Sequence, residues 1–443
     1  MRFALPNVIL IVTVLMLSGA LGTAVSQSAA SADSDRVTAA NKQAVEDARH
    51  GRYMDATYGY LAALGVDSAA KITDDDAYDQ WSQAWSTMTG VHVARPGKVP
   101  DYHVPPAEVA TLKAAHGVTA IPQIVARARK TRVVILDEGH LIPRDRAFAL
   151  QVAQTLRPLG YTILAVEALK GDEDDSASLA KMNKLFADGY VRQSSGYYFD
   201  DPVFADFLRQ SMALGYHLVS YEAVKAFQLQ DGEKVTAMRE QEQAENIVRR
   251  ALNKNPTAKV LVYCGTHHAA EGPLASEAGK NRVWMAARLK QLTGIDPLTI
   301  DQASLAESPS YLPDVDLYAI ASVKAKGESV ILIDSSKPVT VGLLGGAVDL
   351  QVVHPAVPLR DGRPGWIITM GRKPVPIPAA LLPKTGVRLV QAFIVTEAED
   401  AIPVDQVLVS AGQPAPELML PTVPVRHAVQ DYKGDSGHSR SYW

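Results

Sequence analysis

From residue 131 to residue 300 the chain alternates short apolar runs with longer stretches in which apolar residues recur every three or four positions. That rhythm constrains the fold more than any other feature of the sequence. Arg132 leads into the continuous apolar run 133–136, the pattern of a strand covered on both faces. Further strands are expected at 161–166, 216–221, 259–264 and 298–300. The stretches 144–156, 202–214, 233–253 and 282–292 have helical spacing between them. In the first, Phe148, Val152 and Leu156 share one stripe, and Pro158 and Gly160 end it. Strands alternating with helices predict an α/β fold, a mainly parallel sheet with helices on both faces.

The flanks read differently. Arg2, the apolar run 8–21 and the small-x-small pattern Ala24-Val25-Ser26 form an export signal, cut after residue 26. The expected location is therefore periplasmic or secreted, without a stable membrane anchor after cleavage. Residues 27–130 read as a mostly helical region, with 27–40 a flexible lead-in. Asp74, Asp75 and Asp76 there precede Tyr78, Trp81 and Trp85, as at a charged helix start. The α/β domain spans 131–305. Val/Pro/Gly-rich stretches across 306–430 suggest a β-rich accessory domain, and 431–443 a disordered tail. The net charge of −4 is spread along the chain, which excludes the basic stripe that nucleic-acid binding needs. Cys264 is the only cysteine, so no intrachain disulfide forms.

In a parallel sheet, ligands bind in the crevice beyond the carboxyl ends of the strands. Four expected strands end there on polar residues: Asp137-Glu138-Gly139-His140, Glu167, Glu222 and Gly265-Thr266-His267-His268. A lone glutamate at a strand end more often caps a helix or pairs a cation. Their shared edge is what points to chemistry. A histidine near neutrality accepts a proton from water, and a carboxylate beside it raises its basicity and fixes its tautomer. The same set, chiefly Glu138, His140 and His268, is also the donor type that holds a divalent metal. His267, pointing away from His268 along a continued strand, reads as structural. Cys264 reads as a small core residue, with a nucleophilic thiol as the competing reading. No Gly-x-Ser-x-Gly elbow, His-Glu-x-x-His helix or P-loop pattern is present.

Four pieces in order carry a family resemblance. They are Asp137-Glu138-Gly139-His140, Glu167 at the end of the next strand, the helix start from Arg239 to Ile247, and Gly265-Thr266-His267-His268. Over residues 131–300 the chain resembles the superfamily that joins erythromycin esterases, ChaN-type haem-binding proteins and Tiki/TraB-type proteases. The resemblance implies hydrolysis of an ester, lactone or amide in a small-molecule or peptide substrate. His140 would activate water, Glu138 and Glu167 would support it, His268 would assist, and Arg239 would meet a developing oxyanion. Esterase-like members work without metal and Tiki-type members need one, and both options stay open here. The ChaN side of the resemblance implies a haem or iron ligand instead, with Tyr197 and Tyr198 as an aromatic lid or a tyrosine ligand. Tyr197, Tyr198 and Glu222 are the substrate-binding candidates. Asp137 stands where the family has Gly, Glu240 where it has Asp and Gln243 where it has Met. Asp137 therefore suggests a third reading, an inactive relative acting as a binding module. On the helical wheel Arg239 and Asn246 lie opposite the apolar stripe of Ala244, Ile247, Val248 and Ala251, which predicts a solvated Asn246.

Overall fold

A computed structural model describes residues 24–170, 175–226, 232–275, 281–309, 311–356, 359–360, 362–432 and 440–442. The export segment lies, up to residue 23, outside them. Among the described residues no helix is long and apolar enough to cross a membrane.

The strands in chain order are β1 (His116–Thr119), β2 (Val133–Glu138), β3 (Tyr161–Val166), β4 (His217–Ser220) and β5 (Lys259–Gly265). They continue with the short hairpin β6 (Leu274–Ala275) and β7 (Asn281–Arg282), then β8 (Leu298–Asp301), β9 (Val330–Asp334), β10 (Lys337–Pro338) and β11 (Leu350–Val353). A parallel sheet runs β11-β8-β2-β5-β3-β4, and β9 extends it antiparallel, carrying β1 and β10. Residues 133–136 have no exposed surface because β2 lies between β8 and β5 and both its faces are covered.

Side-chain alternation along the strands divides the core in two. Val134, Leu136, Leu164, Val166 and Leu261 pack with helices Pro143–Leu156 and Pro202–Ala213. Val133, Ile135, Ile163, Ala165, Val260 and Val262 pack on the other face with helices Gly232–Ile247 and Met285–Thr293. Cys264 belongs to this second core, where burial pushes its thiol well up, so the nucleophile reading falls away.

The structure corrects several expectations at the flanks. β9 and β11, within the stretch read as accessory, complete the central sheet, because their short apolar runs look alike whether they lie in a central or a peripheral sheet. β1 likewise brings a strand from the mostly helical region into the sheet. Residues 27–40, read as a flexible lead-in, lie inside the helix Ala24–Arg49. That segment contains no Gly or Pro and is rich in Ala, the strongest helix former. The C-terminal part forms a separate antiparallel sheet of Asp405–Ser410, Val387–Ile394, Val425–Asp431 and Arg440–Tyr442. Asp431 and Arg440–Tyr442, within the stretch read as a tail, are thus paired, while 433–439 lie outside the described residues.

Candidate functional site

The register fixes the site. Glu138 is the Cα partner of Gly265, so β2 and β5 end together, and Glu167 follows β3 one step away with its N–H on the Tyr263 carbonyl at 3.1 Å. Alternation then sends Glu138 to one face of the sheet and Glu167 to the other, where Glu138 meets the buried Arg146 and Glu167 the half-buried Arg239, each from a different helix.

Glu138 is taken by Arg146 of helix Pro143–Leu156. Arg146 Nε donates to Glu138 Oε2 at 2.8 Å and Nη2 to Oε1 at 3.2 Å, while the Tyr263 hydroxyl donates to Oε2 at 2.7 Å. Nη2 also donates to the His140 carbonyl at 2.8 Å, and Nη1 pairs with Asp201. Arg146 is wholly buried. Burial alone would raise the Glu138 carboxyl, but Arg146 and His140 hold it down at about 2. Glu138 is therefore a carboxylate, and its Oε1 lies 2.8 Å from His140 Nδ1. Since a carboxylate only accepts, Nδ1 carries a proton, and in the neutral ring Nε2 presents the lone pair. Nε2 has no hydrogen-bond partner among the described residues, and the side chain is 36 % exposed. The Tyr198 ring stacks on the imidazole at 4.6 Å.

On the other face, Glu167 Oε2 accepts the Gly265 N–H at 2.6 Å and Oε1 lies 3.1 Å from His268 Nε2. Arg239 pairs with both Glu167 and Glu222, and its Nε donates to Glu222 Oε1 at 3.0 Å. Gln243 Nε2 donates to the same oxygen at 2.9 Å. Glu222 thus holds Arg239, with its side chain 18 % exposed. His268 Nδ1 lies 2.8 Å from Glu240 Oε2, which also accepts the Met285 N–H at 2.9 Å. Burial opposes a charge on His268, but Glu167 and Glu240 on either side push it up to about 10. The charged ring is thereby favoured at neutral pH, with Nδ1 donating to Glu240 and Nε2 in ion-pair range of Glu167. Arg239 Nη1 comes within 3.2 Å of His268 Nε2, a close approach of two cations that Glu167, Glu222 and Glu240 together neutralise.

The two halves meet over Gly265. A Cβ there would lie 2.9 Å from His140 Nε2 and 3.5 Å from Glu167 Oε2. The missing side chain leaves a notch, narrower than a methyl group, between the His140 Nε2 and the Glu167 carboxylate, with Arg239 and His268 paired to that carboxylate from behind. His140 and Glu167 border it directly, Glu138 stands behind His140, and Arg239 and His268 stand behind Glu167.

Tyr197 is not held in the same way. It is 44 % exposed, with the Lys170 ammonium 4.3 Å over its ring. His267 stacks on Trp284 at 4.7 Å, and burial pushes it down to about 4. Asn246 is buried and donates to the Tyr221 and Glu222 carbonyls at 3.2 and 3.3 Å, contrary to the solvated position expected from the wheel. The helix Gly232–Ile247 is covered on both flanks, by the sheet face and by the end of β4, which a single-stripe reading misses.

The Asp137 side chain is turned away from the notch. It is fully buried, accepts the Gln302 N–H at 2.8 Å and faces Asp301, and burial followed by Asp301 keeps its carboxyl well above the usual range. The added charge expected from Gly-to-Asp therefore does not reach the site. The donor set does not fit a metal either. Both Glu138 oxygens and both His268 nitrogens are taken, and among the described residues no group of three or more His, Cys, Asp or Glu is arranged to hold one.

No family model matches the chain. No curated protein matches it. Among solved structures it is similar to one titled "Cofacial heme binding to ChaN of Campylobacter jejuni", at 9 % identity over 55 % of this chain and 98 % of that one, with a TM-score of 0.35. The type III effector HopBA1 is similar at 13 % identity over 58 % and 99 %, TM-score 0.31. A structure titled "Bacterial protein toxins" is similar at 14 % identity, TM-score 0.31, and there the match spans 42 % of this chain and 37 % of the other.

Proposed function

We propose that the protein is a hydrolase of esters, lactones or amides in which His140 activates water without a metal. The observation that carries the reading is the Glu138–His140 hydrogen bond at 2.8 Å, which leaves Nε2 unpartnered beside the Gly265 notch. Nε2 takes a proton as the water oxygen bonds to the substrate carbonyl carbon. The resulting oxyanion lies in the field of His268 and Arg239, whose charges the surrounding carboxylates hold in place before the reaction. As the tetrahedral intermediate collapses, the carbon–oxygen or carbon–nitrogen bond breaks and His140 returns its proton to the leaving alkoxide or amine.

Alanine at His140 or at His268 should abolish turnover of a panel of activated esters while circular dichroism stays unchanged, and chelator should leave the wild-type rate unaffected. Full activity in both variants ends the reading. Haemin supplies the counter-test, since a shifted Soret band without turnover would favour a haem-binding protein. Export belongs to the same proposal, resting on Arg2, the apolar run 8–21 and residues 24–26. N-terminal sequencing of the exported form should begin at Gln27.

A further inference from the structure

Tyr198 is the strained residue nearest the proposed base. Its φ is +59°, one of four non-glycine residues with positive φ among those described, and a bulky side chain is uncommon there. Such conformations persist only where the surroundings impose them, and they gather at functional sites. The surroundings here are specific. The Tyr197 N–H donates to the Ala168 carbonyl at 2.8 Å and the Lys170 N–H to the Ser195 carbonyl at 3.1 Å, so the segment is tied to the chain leaving β3. Gly196 fits against that chain so closely that a Cβ would collide with the Ala168 carbonyl as well as with the Phe199 ring. Phe199 is itself buried and meets Phe204 edge-on at 4.9 Å. Asp201 ends the segment by capping helix Pro202–Ala213 through the Val203 N–H at 2.8 Å and by pairing with Arg146. The strap is thus fastened at both ends, and between them its left-handed residue lays a phenol ring flat on His140, 18° from parallel.

We propose that Tyr198 is a positioning residue that holds the plane of the His140 imidazole, so that Nδ1 stays on Glu138 and Nε2 stays aimed over Gly265. The Glu138 bond alone fixes one atom of the ring and leaves rotation about that bond free. The stacked ring removes that freedom. The functional consequence rests on His140 being the base, whereas the positioning itself does not.

Two variants and two readouts separate these statements. Tyr198→Phe keeps the ring. Tyr198→Asn removes it with a residue that tolerates positive φ, so the strap keeps its backbone. Nitrogen-15 NMR of labelled histidine should show His140 in a single Nδ1–H tautomer in the wild type and in Tyr198→Phe, and averaged tautomers in Tyr198→Asn. Ester turnover should follow, with kcat near wild type in Tyr198→Phe and lower by roughly 10²-fold in Tyr198→Asn at little changed KM. A single tautomer retained in Tyr198→Asn overturns the proposal, whatever the activity. Tautomer averaging with undiminished turnover would keep the positioning role and remove His140 from catalysis.

Discussion

Asp137 shows how two neighbouring carboxyls in one strand acquire opposite states. Glu138 meets a buried arginine and stays ionised, whereas Asp137, one step along and on the other side of the strand, meets Asp301 and burial. Its raised folded-state value gives the sign of the linkage. Stability from its retained proton is complete below the ordinary aspartate value near about 3.9 and is lost as pH rises through the raised value. Asp137→Asn supplies a permanent donor of the same size. Its urea midpoint relative to wild type should therefore improve from pH 5 to pH 8, with ester turnover within about twofold, since the side chain is remote from the notch. An advantage that shrinks as pH rises would contradict the assignment, and lost turnover would revive the inactive-relative reading. Gly265 offers the converse case. Gly265→Ala puts a methyl 2.9 Å from His140 Nε2, so turnover should drop by roughly 10²-fold while the fold survives.

At the scale of elements, helix Gly232–Ile247 supplies Arg239, Glu240 and Gln243 to the site and ties Asn246 to the chain after β4, and of these only Arg239 was legible in the sequence as a functional candidate. Strand ends could be read because a parallel sheet forces its carboxyl termini to one edge, which brings Glu138, Glu167 and Gly265 together whatever the loops do. Helices carry no such constraint. Glu240 and Gln243 stood out only as departures from a family pattern, and Arg146 and Asp201 resembled any helix charge and any N-cap. Their partners lie far away in sequence, Asp201 being 55 residues from Arg146, and no periodicity encodes that. Glu240 permits a direct test. Glu240→Gln keeps the acceptor for Met285 but removes half of the negative charge that sustains the His268 imidazolium. Turnover should fall roughly ten- to a hundredfold, about 1.4–2.8 kcal/mol of barrier. Stability tells the same story with the sign worked out. Because the folded-state value of His268 is raised, its contribution is complete below the unfolded value near about 6.5 and disappears as pH rises through about 10. In Glu240→Gln the alkaline loss of melting temperature should move toward neutrality, and an unshifted alkaline limb would show that Glu240 does not support the charge.

At the scale of the molecule, the central site is tied to both flanking regions through helix Pro202–Ala213. Asp201 at its start pairs with Arg146, and Tyr53 from the N-terminal helical region donates to the Asp200 carbonyl at 2.8 Å. Farther along, Arg209 donates to both Glu397 oxygens at 2.6 and 2.9 Å, and Arg372 donates to Asp206 at 2.8 Å. The two flanking regions also touch each other, where Tyr53, Met54 and Met88 bury Leu389 and Gln430 donates to the Gly51 carbonyl at 2.6 Å. The C-terminal sheet therefore acts as a clamp on the helix whose first turn steadies the Glu138–Arg146 pair. Removing one partner of a buried ion pair costs about 3–5 kcal/mol where the other charge is stranded and less for Arg209, which keeps Asp206 at 3.2 Å, whereas replacing both with apolar side chains is close to neutral. Glu397→Met should lower both melting temperature and kcat, and Arg209→Met combined with Glu397→Met should recover most of the stability. If the clamp acts on catalysis only by holding the helix, kcat recovers in the double variant as well. A chain ending at residue 384 removes the clamp outright, Leu389 included, and uncovers Tyr53, Met54 and Met88, so it should lose cooperative melting together with turnover. A truncated chain that still melts in one transition and hydrolyses esters at the full rate would show the central sheet to be self-sufficient and the clamp irrelevant to its site.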